Sequence, residues 1–156
     1  MILNYNNKEN QYICNYLAEV ADDEVIDCER IIKNKDKLEF FSQKPYLLIA
    51  DYDMLCNLKT LLAMNKTSFN GSKIFYVIFV CKNAQNNNYL THAFAKSISA
   101  TKNAVLFGCV AIERKNKGEA LSESEIVNAK ILGSYVRDSI PFSGVNSVNY
   151  PIRNIV

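Results

Sequence analysis

The chain has 156 residues, with 18 Lys and Arg against 16 Asp and Glu for a net charge of +2, and that length lets one domain bury a core without disulfides or metals. Its basic residues form no block, and its nine Tyr and eight Phe are not interleaved with them, so a nucleic-acid partner is not indicated. No apolar run reaches the roughly 20 residues of a membrane-spanning helix, and no basic segment precedes an apolar leader. The expectation is a soluble, cytoplasmic protein with no membrane partner.

Met1-Ile2-Leu3 reads as a first strand that runs through a polar loop, Asn4 to Asn10, into a helix over Gln11 to Ala21. Within that helix Ile13, Leu17 and Val20 recur at three-and-four spacing with Cys14, Ala18 and Ala21 beside them. Glu24 to Asp27 is a short second strand, and Cys28 to Ile32 is one helical turn or loop. Tyr46-Leu47-Leu48-Ile49-Ala50 follows Pro45 as a continuous apolar run, the pattern of a parallel strand buried on both faces. Leu58, Leu61, Leu62 and Met64 suggest a short helix, and Asn70-Gly71 a turn. Ile74 to Val80 is the most hydrophobic stretch and reads as an interior strand. Leu90, Ala93, Phe94 and Ile98 mark another helix, and Ala104 to Ile112 a fifth strand. Ser122-x-x-Glu125 is a capping box ahead of a last helix with Ile126, Ala129, Gly133 and Val136 on one side, stopped by Pro141.

Five strands alternating with helices predict an α/β three-layer sandwich; right-handed crossovers limit its five-stranded parallel sheet to a few strand orders, of which 2-1-3-4-5 is the one expected. The domain is expected to span 1–141. Residues 142–156 have no periodic pattern and form an irregular C-terminal tail that is free to drape over the sheet or over a second copy of the chain, which leaves a homo-oligomer open.

Several chemistries lack their residues. Cys14, Cys28, Cys56, Cys81 and Cys109 are widely spaced with no C-x-x-C pair, so neither a disulfide framework nor a metal site is suggested. Cys56, at an expected helix start, has a mild case for thiolate character. His92 is the one histidine and has no nucleophile-elbow context. No HExxH, Walker-type loop or GxGxxG occurs. A phosphoacceptor site needs acidic residues at the end of the first strand, where this chain has Asn4 and Asn6. No catalytic residue is assigned.

Framework segments resemble the flavodoxin-like domains of bacterial flavodoxin/ferredoxin-type proteins. They are Tyr12 to Ala18 after the first loop, Glu39 to Tyr46 before the third strand, Phe69 to Lys73 before the fourth, and Phe107-Gly108-Cys109 in the fifth. The resemblance implies flavin mononucleotide (FMN) as cofactor and electron transfer or simple flavin-dependent reduction as activity. Its phosphate would lie on the first loop and its ring between the loops after the third and fourth strands. Carried onto this chain, the cofactor-binding positions are Asn6, Asn7, Lys8, Asn10 and Gln11, then Tyr52 and Met54, then Lys82 and Asn83. No ferredoxin-type cysteine cluster is present, so the redox partner would be a separate protein.

The loops depart from that family: after the third strand Tyr52 and Met54 are the only groups placed to lie on a flat ring, where the family more often supplies an aromatic residue near Met54. Glycine, which lets backbone approach a phosphate without a Cβ, is absent from all three. Asparagine tolerates the left-handed region and keeps a nest of N–H donors open to Asn6, Asn7 and Asn10. Lys8 adds positive charge and Glu9 opposes it. The alternative is a cofactor-free domain of the same architecture that uses this edge, or its tail, to bind a protein or another small ligand.

Overall fold

The computed structural model describes residues 1–5, 7–34, 44–50, 73–82, 93, 96–98, 100, 104–114, 116 and 118–142. Its elements are β1 (Ile2–Asn4), α1 (Asn7–Ala21), β2 (Val25–Asp27), α2 (Cys28–Asn34), β3 (Tyr46–Ala50), β4 (Lys73–Cys81), β5 (Ala104–Glu113) and, named here α3, Glu123–Arg137. The strands form one parallel five-stranded sheet of order β2-β1-β3-β4-β5, as the run of alternating elements predicts. Among the described residues no helix is long and apolar enough to cross a membrane.

The apolar runs of β3 and β4 are continuous because both of their faces are covered. Leu47, Ile49, Tyr76, Ile78 and Val80 turn toward α1 and α3 and pack with Ile13, Leu17, Ala129, Leu132 and Val136. Tyr46, Leu48, Phe75, Val77 and Phe79 turn the other way, toward Cys28 of α2 and Ile98. These two apolar layers on either side of the sheet give the expected three-layer sandwich. Ala93 and Lys96–Ile98 are helical, in keeping with the helix expected there. The expected helix around Leu58 to Met64 and the Asn70-Gly71 turn lie outside the described residues.

Cys28 to Asn34 forms a helix of seven residues, longer than one turn. A second difference concerns α1, which starts at Asn7, so Asn7 to Asn10 are its first turn and not loop. Burial of the Ile13, Cys14 and Leu17 face extends one turn further back to Asn10, overriding the weak helix propensity of asparagine.

A third difference concerns how the helices end. Asp22 and Ser139 take left-handed φ values of 51° and 56°. After each, the chain folds back: Asp23 N–H donates to the Ala18 carbonyl at 2.9 Å and Ile140 N–H to the Tyr135 carbonyl at 2.8 Å. Both are Schellman closures with a non-glycine residue at the left-handed position. α3 is therefore stopped by Asp138 and Ser139, ahead of Pro141.

In the β4–β5 ladder Phe75 pairs with Leu106 but Tyr76 pairs with Gly108, so Phe107 is a bulge. Phe107 and Phe142 belong to the layer under α1 and α3, with the Tyr76 ring 5.9 Å from Phe107 and 4.7 Å from Phe142. Phe142, the first residue of the expected tail, is thus part of the core, and its N–H donates to the Phe107 carbonyl at 3.0 Å. Residues 143–156 lie outside the described set.

Candidate functional site

In a parallel sheet ligands gather beyond the carboxyl ends of the strands, where the direction of strand addition reverses. Here the chain steps from β1 outward to β2 and then back past β1 to β3, so the reversal lies between β1 and β3. α1 covers one face at this point and α2 the other. Asn4 ends β1 there, opposite Asp27 of β2 and Ile49 of β3.

Two asparagines are buried at this end of the fold. Asn4 and Asn10 are both 0 % exposed. Asn10 shares the sheet-facing row of α1 with Ile13, Cys14 and Leu17. Since a helical Cα–Cβ bond tilts toward the helix start, its amide lies over the first turn. Among the described residues neither its Nδ2 nor its Oδ1 has a hydrogen-bond partner. Each such buried group costs about 1–3 kcal/mol relative to its solvated state, which makes an unmet amide rare in a native interior.

The remaining expected positions divide cleanly. Asn7 is the first residue of α1, while Lys8 and Gln11 are exposed on its surface and Lys82 is exposed just past β4. Asn6, Tyr52, Met54 and Asn83 lie outside the described residues, as does Cys56. Of the expected set, Asn7, Lys8, Asn10 and Gln11 are brought together at the start of α1. The helix start is electropositive through its unpaired N–H groups, yet Glu9 stands in the first turn beside Lys8.

A second cluster closes the same sheet edge at β5. Arg114, only 1 % exposed, donates from Nε to Glu125 Oε2 at 2.5 Å and from a terminal nitrogen to the Glu119 carbonyl at 2.8 Å and the Asn116 carbonyl at 3.3 Å. Its backbone N–H donates to the Cys81 carbonyl at 2.8 Å. Glu125 completes the capping box, with Ser122 N–H donating to Oε1 at 2.9 Å and Glu125 N–H donating to Ser122 Oγ at 3.3 Å. Burial pushes the Glu125 carboxyl up, but the Ser122 N–H and the Arg114 guanidinium outweigh it and hold the group below the usual carboxylate range. An open groove beside this cluster is lined by Glu113, Glu119 and Glu125 along with Ser122 and Ser124. Its acidic lining disfavours anions.

No family model, curated protein or solved structure matches this chain. What the site can do rests on its own residues. Among the described residues no group of His, Cys, Asp and Glu could hold a metal ion. Cys14, Cys28, Cys81 and Cys109 are buried free thiols. Burial pushes the thiols of Cys14 and Cys109 far up and that of Cys28 to about 12, which makes them poor nucleophiles.

β1 ends at Asn4 and α1 begins at Asn7, and the short connection between them holds no glycine, the residue that lets backbone approach a phosphate without a Cβ. Sequence reasoning passed over Asn4 and Arg114 as parts of this edge. A polar residue closing an apolar strand was the available signal for Asn4. For Arg114 it was a cation directly after β5, the first of Arg114, Lys115 and Lys117, with a capping-box carboxylate downstream.

Proposed function

We propose that this chain is a flavodoxin-like domain that binds a flavin at the carboxyl edge of its sheet and serves electron transfer or a simple flavin-dependent reduction, with its redox partner on a separate protein. The observation that carries this reading is the reversal of strand order between β1 and β3, the place where open parallel sheets take their ligands. The framework resemblance supports flavin as the ligand class, and FMN is the form it implies. Fold alone does not supply a reaction, so the ligand is the claim to test first.

The second reading is a cofactor-free domain that uses this edge for a protein or another small ligand. The short, glycine-free connection between β1 and α1 favours it.

The deciding experiment is the visible spectrum of the purified protein followed by flavin titrations read by fluorescence. Saturable, one-to-one quenching with a shifted flavin band supports a flavoprotein. Unquenched fluorescence up to about 100 μM, where binding would be worth less than about 6 kcal/mol, removes the flavin reading and leaves the second.

A further inference from the structure

Val127 is 56 % exposed and Ile131 is 40 % exposed, although both side chains are large and apolar. They stand four residues apart on α3, and Tyr135 stands four further on, so the three form one row along the helix surface. Around Ile131 the nearest positions on that surface are Val127, Asn128, Ser134 and Tyr135, and none of them is charged. Charge returns only beyond Val127, at Glu123 and Lys130. A helix face that meets water alone is normally polar or charged, whereas loss of charge around apolar side chains marks the centre of a contact.

The foot of this row lies where the described chain ends. Tyr135 and Phe107 both pack against the apolar layer that holds Phe142. Tyr76 ties them together: its hydroxyl donates to the Ile140 carbonyl at 2.8 Å and to the Tyr135 carbonyl at 3.3 Å, and its ring lies 4.7 Å from that of Phe142. Residue 143 therefore leaves the fold beside Tyr135. The 14 residues that follow Phe142 include Val145, Val148, Tyr150, Ile152, Ile155 and Val156, with Arg153 as their one charge. That composition is the reverse of the charged, apolar-poor segments that cannot bury enough surface to order.

We propose that residues 143–156 pack along α3 from Tyr135 to Val127, as a strap that covers Ile131 and Val127 with the tail's own apolar side chains. The row is about 12 Å long, and a chain of this length reaches up to about 45 Å when extended, so the tail spans it with residues to spare. Tethering favours this occupant over a second copy of the chain, because a segment fixed at the foot of the row meets it at an effective concentration of about 1 mM. The proposal is independent of the flavin reading.

The test is methyl NOE spectroscopy on the full chain at a concentration where sedimentation shows a monomer. Cross-peaks are expected from the Val127 and Ile131 methyls to side-chain protons of residues 145–156. Their absence overturns the proposal. Cross-peaks between labelled and unlabelled chains in a mixed sample would put a second copy on this face, and would overturn it as well.

Val127→Glu combined with Ile131→Glu supplies the residue-level check. Both positions are exposed, and unchanged shifts in β3 and β4 verify that the fold stands. The resonances of residues 145–156 are then expected to move to random-coil positions. Val127→Ser with Ile131→Ser serves the same purpose if the charged pair does not fold. Tail resonances that ignore these substitutions would show that the tail rests elsewhere, and the proposal would fall.

Discussion

Phe142 occupies the space that a side chain at residue 108 would need: a Cβ placed on Gly108 would stand 2.5 Å from the Phe142 Cβ and 2.7 Å from the ring. Neighbouring Phe107 is the bulged residue whose carbonyl receives the Phe142 N–H. The glycine, the bulge and the aromatic form one joint between β5 and the segment that leaves α3.

Gly108→Ala is accordingly expected to destabilise the protein by about 1–3 kcal/mol through overpacking, and Phe142→Ala by about 3–5 kcal/mol through cavity formation. The double variant should cost less than the sum, because the ring contacts are gone, while the 2.5 Å approach to the Cβ of residue 142 remains. Urea unfolding of the four proteins of this cycle measures the coupling. Strict additivity would show that the two residues do not meet.

Ser139 closes α3 in the left-handed region at φ 56°. Glycine adopts that region without the Cβ penalty that costs other residues roughly 1 kcal/mol. Ser139→Gly is therefore expected to raise stability by about 0.5–1 kcal/mol, seen as a higher midpoint in urea. A loss of stability would argue against the Schellman closure.

The Arg114–Glu125 pair predicts a pH dependence. The folded pKa of Glu125 is lowered, so this carboxylate contributes stability that is fully present above its unfolded value and is lost as pH falls through the lower folded value. Glu125→Gln removes the charge opposite a buried guanidinium and should cost about 2–3 kcal/mol at pH 7. The difference between wild type and variant should shrink as pH falls below about 4. A gap that stays constant between pH 7 and pH 3 would rule out the ion pair as its source.

Cys14, Cys28, Cys81 and Cys109 are buried free thiols. A thiol reagent added to the native protein should leave all four unmodified on the time scale of minutes and reach them in denaturant. Peptide mapping after labelling assigns each site. Native labelling of Cys14 or Cys109 would contradict the packing of α1 and β5.

The central strands were legible because burial on both faces writes itself as uninterrupted Tyr46 to Ala50 and Ile74 to Val80, and crossover handedness narrowed their order to a few arrangements. The start of α3 was legible because its capping box is a local arrangement of Ser122 and Glu125. The start of α1 was not, since Asn7-Lys8-Glu9-Asn10 has the composition of a turn and becomes helical through the contacts of the face behind it. The helix ends were hidden because Asp22 and Ser139 do the work that glycine advertises. Phe142 stands alone past Pro141, and no periodicity marks a single aromatic that folds back onto a sheet. At the candidate site the position of Asn10 was readable but its burial was not. That depends on the helical phase of α1, fixed by a start that sequence placed four residues too late.

The bulge at Phe107 has a consequence for how the molecule meets its neighbours. β5 is the longest strand, Ala104–Glu113, and among the described residues it pairs only with β4. A long, regular outer strand is a template on which another chain can add itself. Here the extra residue twists the strand partway along, and the Phe107 carbonyl is already taken by Phe142. The outer edge is divided into a run before the bulge, Ala104 to Leu106, and one after it, Gly108 to Glu113, so an incoming strand would have to step across the bulge to pair along both. The joint that seats Phe142 thereby also limits how far another strand could pair along β5 in a single register.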